Sequence, residues 1–172
     1  MAGQAPDNGR PGGGKHTGRF AVVAARFNQA ISKKLADGAV AVLEAGGVAA
    51  GHVETHWVPG SFELPQAALA LARTGRYAGI VCVGVVIRGE TPHFEFVAGE
   101  AARGLSSVAL TTGVPVTFGV ITSLTEAQAW ERAGGVVGHR GEEAARAALE
   151  MAAWKRDIRP RRPGRRASRR RA

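Results

Sequence analysis

Gly79-Ile80-Val81-Cys82-Val83-Gly84-Val85-Val86-Ile87 runs directly into Arg88-Gly89-Glu90-Thr91-Pro92-His93-Phe94. The first stretch carries no charge and is too short to span a membrane, so it suits a strand buried on both faces. The glycine-bearing turn leads into an amphipathic segment, Phe94 to Leu110, and the whole reads as strand, tight turn, helix. Thr91 suits the N-cap, because its hydroxyl can accept from a free backbone N–H. Pro92 suits the first helical position, where no N–H is needed. His93 then falls in the first turn beside the positive end of the helix dipole. That position disfavours imidazolium and predicts a neutral ring able to take a proton near neutral pH. The same turn offers free N–H groups to an anion such as phosphate. Taken alone, the turn reads first as a histidine capping or lining a helix start, and the neighbouring loops have to decide.

Upstream, Phe20 to Ala25 is an apolar run suited to a buried strand, ending at Arg26-Phe27-Asn28. A helix follows from about Gln29, with Ile31, Leu35, Ala39, Val42 and Leu43 on one face, and stops at Gly46-Gly47. A strand near Val53 to Val58 leads into Pro59-Gly60-Ser61-Phe62-Glu63-Leu64-Pro65. Ser61 can cap the next helix, which tolerates Pro65 in its first turn and ends at Thr74-Gly75. Downstream, the helix bearing His93 packs through Phe94, Val97, Ala101, Leu105 and Val108 and ends at Gly113. Pro115 to Ile121 is a fourth strand. Ser123 and Glu126 have capping-box spacing for a short helix that stops at Gly134-Gly135. After a loop, Val136 to Gly141, a last helix runs from about Glu142 to Trp154. Strand and helix alternate four times and the strands are apolar throughout. The expected fold is therefore α/β, a three-layer α/β/α sandwich with a four-stranded parallel sheet and helices on both faces. Ligands in such folds bind beyond the carboxyl ends of the strands, where all the unusual loops of this chain sit.

At 172 residues, 45% of them hydrophobic, the chain can bury one core and reads as a single domain over 19–154. Residues 1–18 read as a flexible, glycine-rich arm without the apolar centre of a signal peptide. The one cysteine, Cys82, excludes an intramolecular disulfide and points to a reducing, cytoplasmic setting. The five histidines and one cysteine show no metal-ligand spacing. The net charge of +9 is all in one place. From Lys155 onward there are ten Lys or Arg and one acid, Asp157, whereas the rest carries thirteen basic and thirteen acidic residues. The segment 155–172 thus reads as a basic, disordered tail, with Pro160, Pro163 and Gly164 opposing helix. Nucleic acid is a candidate partner for it, bound nonspecifically because no aromatic residue is present to stack on bases.

Four motifs, in order and on the right loops, resemble the 6,7-dimethyl-8-ribityllumazine synthase family. They are Arg26-Phe27-Asn28, Trp57 to Pro65, Val86 to Phe94, and Glu131-Arg132-Ala133-Gly134, and the resemblance covers roughly Gly18 to Trp154. It implies a flavodoxin-like fold and a transferase acting in the penultimate step of riboflavin synthesis. That reaction condenses 5-amino-6-(D-ribitylamino)uracil with 3,4-dihydroxy-2-butanone 4-phosphate and releases phosphate and water, without metal or redox cofactor. By resemblance, Phe27 would stack on the pyrimidine, and Ser61, Phe62 and Glu63 would hold the ribityl chain. The strand-end backbone of Val85, Val86 and Ile87 would read the polar edge of the ring. Gly89, Glu90 and Thr91 would cradle the phosphate, and His93 would transfer protons. Phe118 and Arg132 would complete the pocket from the neighbouring subunit. Plainer roles stand beside these: Phe27 and Phe118 as strand-end core, Glu63 and Arg132 as helix-dipole partners. Glu90 stands where many members have a small residue and is expected to point outward. Arg140 stands where many have lysine, keeping the charge but not the shape. The resemblance further implies pentamers. The short segment before the last helix goes with a sixty-subunit icosahedral shell, possible cargo being riboflavin synthase. A binding and storage protein, or a cargo-packaging cage, on the same scaffold is the alternative.

Overall fold

The computed structural model describes residues 18–158. The sheet is built from β1 (Arg19–Ala25), β2 (Val53–Val58), β3 (Tyr77–Ile87) and β4 (Val116–Ser123), in the order β2-β1-β3-β4 and parallel throughout. Between and after the strands lie α1 (Gln29–Ala45), α2 (Leu64–Arg73), α3 (His93–Thr112), α4 (Glu126–Glu131) and α5 (Arg140–Asp157). Alternate residues of the strands face opposite layers, as the period of two requires. Phe20, Val22 and Ala24 with Val81, Val83 and Val85 pack under α1 and α5, while Ala21 and Val23 with Ile80, Cys82 and Val86 pack under α2 and α3. This is the α/β/α sandwich of flavodoxin-like order. The chain leaves β1 for β2 on one side and returns across it to β3 on the other. The crevice between β1 and β3 is therefore the switch point where such folds bind ligands.

Two close approaches fix the layers. A Cβ on Gly141, at the start of α5, would stand 2.1 Å from the Leu35 carbonyl oxygen of α1, so only glycine lets these helices touch. A Cβ on Gly84 in β3 would stand 2.6 Å from the Ser61 hydroxyl, so the same economy brings the turn after β2 against the sheet.

Several local expectations need correction. The short helix α4 ends at Glu131, before the expected stop at Gly134-Gly135, and a hairpin of β5 (Ala133–Gly135) and β6 (Gly138–His139) spans that stop and the expected loop, with Gly134 and Gly138 both at positive φ. The cap of α4 is Thr125, whose hydroxyl accepts from the Gln128 N–H at 3.2 Å, and not Ser123, whose hydroxyl donates to the Thr125 carbonyl at 2.9 Å. The last helix starts at Arg140 because the His139 ring accepts from the Glu142 N–H at 3.2 Å and caps it. It runs past Trp154 to Asp157, with Lys155 and Arg156 complementing its negative end and Lys155 donating to the Gly113 carbonyl. The arm and the tail beyond these limits lie outside the described residues.

A polar cluster closes the opposite end of the sheet. Glu54 of β2 accepts from the Tyr77 hydroxyl, from Arg19 and, at 3.0 Å, from Arg76. Led by the Tyr77 hydrogen bond and then by Arg19, these partners hold the Glu54 carboxyl down at about 2. Burial, and next the Glu54 carboxylate, push the Tyr77 hydroxyl up.

Candidate functional site

A cleft of about 680 Å³ opens at the carboxyl ends of β1, β2 and β3. Its first wall comes from the end of β1. There the Arg26 N–H donates to the Val58 carbonyl at 2.8 Å and the Phe27 N–H to the Pro59 carbonyl at 3.1 Å, so the loop continues the sheet pairing after the strand has ended. The buried Ser32 hydroxyl donates to the Phe27 carbonyl at 3.3 Å. With its backbone pinned on both sides, Phe27 stands at the lip of the cleft with its ring 71% exposed. A large aromatic side chain held open to solvent does not stabilise the core, and it suits stacking on a planar guest.

The second wall is the turn Pro59–Glu63. The Glu63 carboxylate accepts from the Gly60 N–H at 2.8 Å through Oε2, which fixes the turn and leaves Oε1 for a further donor. Ser61 is buried, and its hydroxyl has no hydrogen-bond partner among the described residues. It does not cap α2 as the sequence suggested, because a 3-10 turn over Ser61–Glu63 intervenes and the cap of α2 falls on Glu63. A buried hydroxyl in a cleft wall costs about 1–3 kcal/mol if nothing bonds it. Phe62 is exposed and completes this wall.

Val85, Val86 and Ile87 form the floor. Beyond them the Arg88 N–H donates to the Ser123 carbonyl at 2.9 Å, which keeps β3 and β4 together to the edge of the cleft. Gly89, Thr91 and His93 line the third wall, with Phe94, Phe96 and Val97 of α3 behind them. The helix starts at His93 with Pro92 in the capping position, and no side chain caps it. Thr91 therefore lies before the helix rather than at its cap, leaving its hydroxyl out of the helix hydrogen bonds. Glu90 is exposed and lines no part of the cleft.

Two expected site residues lie elsewhere in this chain. Phe118, on the edge strand β4, lines a separate hollow of about 450 Å³ with Arg140 and Glu143, which form an ion pair. Arg132 follows α4 and donates to the Gln128 carbonyl at 2.9 Å. Among the described residues the first cleft has Glu63 and His93 as its ionisable lining and no lysine or arginine. Among the described residues no cluster of His, Cys, Asp or Glu could hold a metal ion. Burial pushes the Cys82 thiol far up, so it is inert core.

The sequence reading assigned no role to Phe96, nor to Pro59 and Asn28 within the motifs that contain them. Phe96 is off the core stripe of α3 and 67% exposed, a position visible in the sequence only as an apolar residue on the wrong helical face. Asn28 is the one non-glycine residue at positive φ among the described residues, at φ 57° and ψ 47°, and its side-chain amide donates to the Val85 carbonyl at 3.4 Å. A family model described as 6,7-dimethyl-8-ribityllumazine synthase matches residues 17–156 of the chain.

Proposed function

Because the chain belongs to the 6,7-dimethyl-8-ribityllumazine synthase family, a transferase family of riboflavin biosynthesis, we propose that it makes the lumazine itself. The substrates are 5-amino-6-(D-ribitylamino)uracil and 3,4-dihydroxy-2-butanone 4-phosphate, and the by-products are phosphate and water. The observation that carries this reading is the convergence of Phe27, Ser61–Glu63, Val85–Ile87, Gly89, Thr91 and His93 on one cleft at the sheet switch point.

In this reading the exposed Phe27 ring stacks on the pyrimidine, and the backbone of Val85, Val86 and Ile87 meets its polar edge. The unpartnered Ser61 hydroxyl and the free oxygen of Glu63 take the ribityl hydroxyls. The turn at Gly89, Glu90 and Thr91 and the first N–H groups of α3 hold the phosphate. Imine formation, phosphate elimination and ring closure each move protons, and the His93 ring stands beside the anion site to carry them. Most of the acceleration then comes from holding amine and carbonyl together. Among the described residues the cleft lining has no lysine or arginine. Phe118 and Arg132, both away from the cleft of their own chain, serve the cleft of a neighbour, with Arg132 pairing the phosphate. The assembly is a homo-oligomer, a pentamer that builds into an icosahedral shell, working in the cytoplasm. The exposed Phe118, Val136 and Val137 support such contacts.

The test is absorbance of the lumazine chromophore after mixing both substrates with the full chain, beside a His93→Ala variant. Fast formation that slows in the variant is the expected result. Tight pyrimidine binding with no acceleration over the spontaneous reaction would instead mark a storage protein. The basic segment after Asp157 binds RNA nonspecifically in this reading. Retention of RNA at low salt, steep loss with added salt and abolition by truncation after Asp157 are its expected signs.

A further inference from the structure

We propose that Asn28 is a positioning residue for pyrimidine recognition, its carboxamide standing in for the strand that β1 no longer provides beside Val85. The inference rests on the reaction proposed above. Pairing between β1 and β3 ends at Ala24 with Val83, while β3 continues to Ile87. From Val85 onward, the side of β3 that faced β1 has no strand neighbour. The Asn28 amide fills that position, donating to the Val85 carbonyl at 3.4 Å across the switch-point crevice. The arrangement needs an unusual backbone, since Asn28 sits in the left-handed region and its own carbonyl accepts from the Ile31 and Ser32 N–H groups at 3.1 Å to start α1. Asparagine is among the few side chains that tolerate this conformation, and glycine is another.

The consequence is a rigid link between the two parts of the cleft that would grip the pyrimidine. Phe27 precedes Asn28 directly, and Val85 begins the backbone edge of the floor. Arg88 is bonded to β4 through its N–H, so Ile87, one residue away, presents its amide to the opposite, open side. With the Val85 carbonyl held by Asn28, the remaining groups on that side keep the spacing a heterocycle edge requires.

Two variants separate the amide from the backbone. Asn28→Gly keeps the left-handed conformation and removes the amide. Asn28→Asp keeps the shape but presents only acceptors to the Val85 carbonyl at neutral pH. Both should raise KM for the pyrimidine roughly fivefold to tenfold, the loss of one hydrogen bond, with kcat and KM for the four-carbon phosphate within about twofold. Amide hydrogen exchange over 85–88, read without substrate, should quicken in both variants while Tm stays near that of the parent. Unchanged exchange, or KM values equal to the parent's, would overturn the proposal, as would a fall in Tm that carries kcat down with it. Failure of the parent protein to form lumazine would instead remove the proposed reaction, and the exchange measurement would still decide the role of Asn28.

Discussion

His93 holds its place through α3 alone, since no side chain caps the helix start and the ring is exposed at the cleft wall. Its removal should therefore leave the fold and both KM values nearly intact while kcat falls about ten- to a hundredfold, below the usual ceiling for general acid–base groups because proximity survives. Steady-state lumazine formation by His93→Ala and His93→Gln measures this. Glu54 governs a different property. Its carboxyl is held at about 2 against an ordinary 4.5, so the folded state binds its proton less tightly than the unfolded state. The stability it contributes is complete above about 4.5 and is lost as the pH falls from there toward about 2. Denaturant melts of Glu54→Gln should show a shallower decline of stability across that window than the parent. The strand-end loops that line the cleft were legible in the sequence because they advertise themselves by composition, whereas Phe96, an apolar residue off the core stripe of α3, was not. Asn28 was not, because an amide that bonds a carbonyl 57 positions away leaves no local pattern.

At the scale of elements, apolar runs and glycine stops located all four strands and the long helices, since burial on two faces forces both signals. The ends were less legible. Ser123 and Glu126 have the spacing of a capping box, yet Thr125 with Gln128 does the capping, as any of several hydroxyls in such a stretch can. The hairpin of β5 and β6 reads in the sequence as a helix stop and a loop, because its strand residues are mostly glycine and it pairs over very few positions. The packing of α1 against α5 depends on Gly141, where a methyl group would meet backbone rather than a movable side chain. Gly141→Ala should cost about 1–3 kcal/mol and lower Tm by roughly 3–10 °C, followed by circular dichroism. Gly84→Ala should perturb the turn at Ser61 instead, raising KM for the pyrimidine more than it lowers Tm.

For the whole molecule, the separation of His93 from Arg132 makes a strong prediction. If each cleft draws one from each of two chains, two impaired variants must rescue one another. His93→Ala and Arg132→Ala, unfolded together in equal amounts and refolded, should recover activity in about a quarter of the clefts, the share that receives both intact residues at random. Mixing without dissociation should recover none. A single chain carrying both parts of its own cleft would show no rescue under either condition. The tail leaves from the other end of the sheet, where Lys155 reaches the Gly113 carbonyl ahead of β4. Truncation after Asp157 should therefore leave lumazine formation within about twofold of the parent, because the last described residues of α5 stand at the end of the sheet opposite the cleft.

The chain's one thiol, Cys82, is fully enclosed between two helical layers. Thiol reagents should find nothing to modify in the native protein and one group after denaturation. Any cysteine then placed on the surface becomes the sole address for a fluorophore or a spin label, with no native residue to remove first. In the homo-oligomer proposed above, distances between neighbouring chains can be read from such labels directly, and its number of copies counted by their brightness.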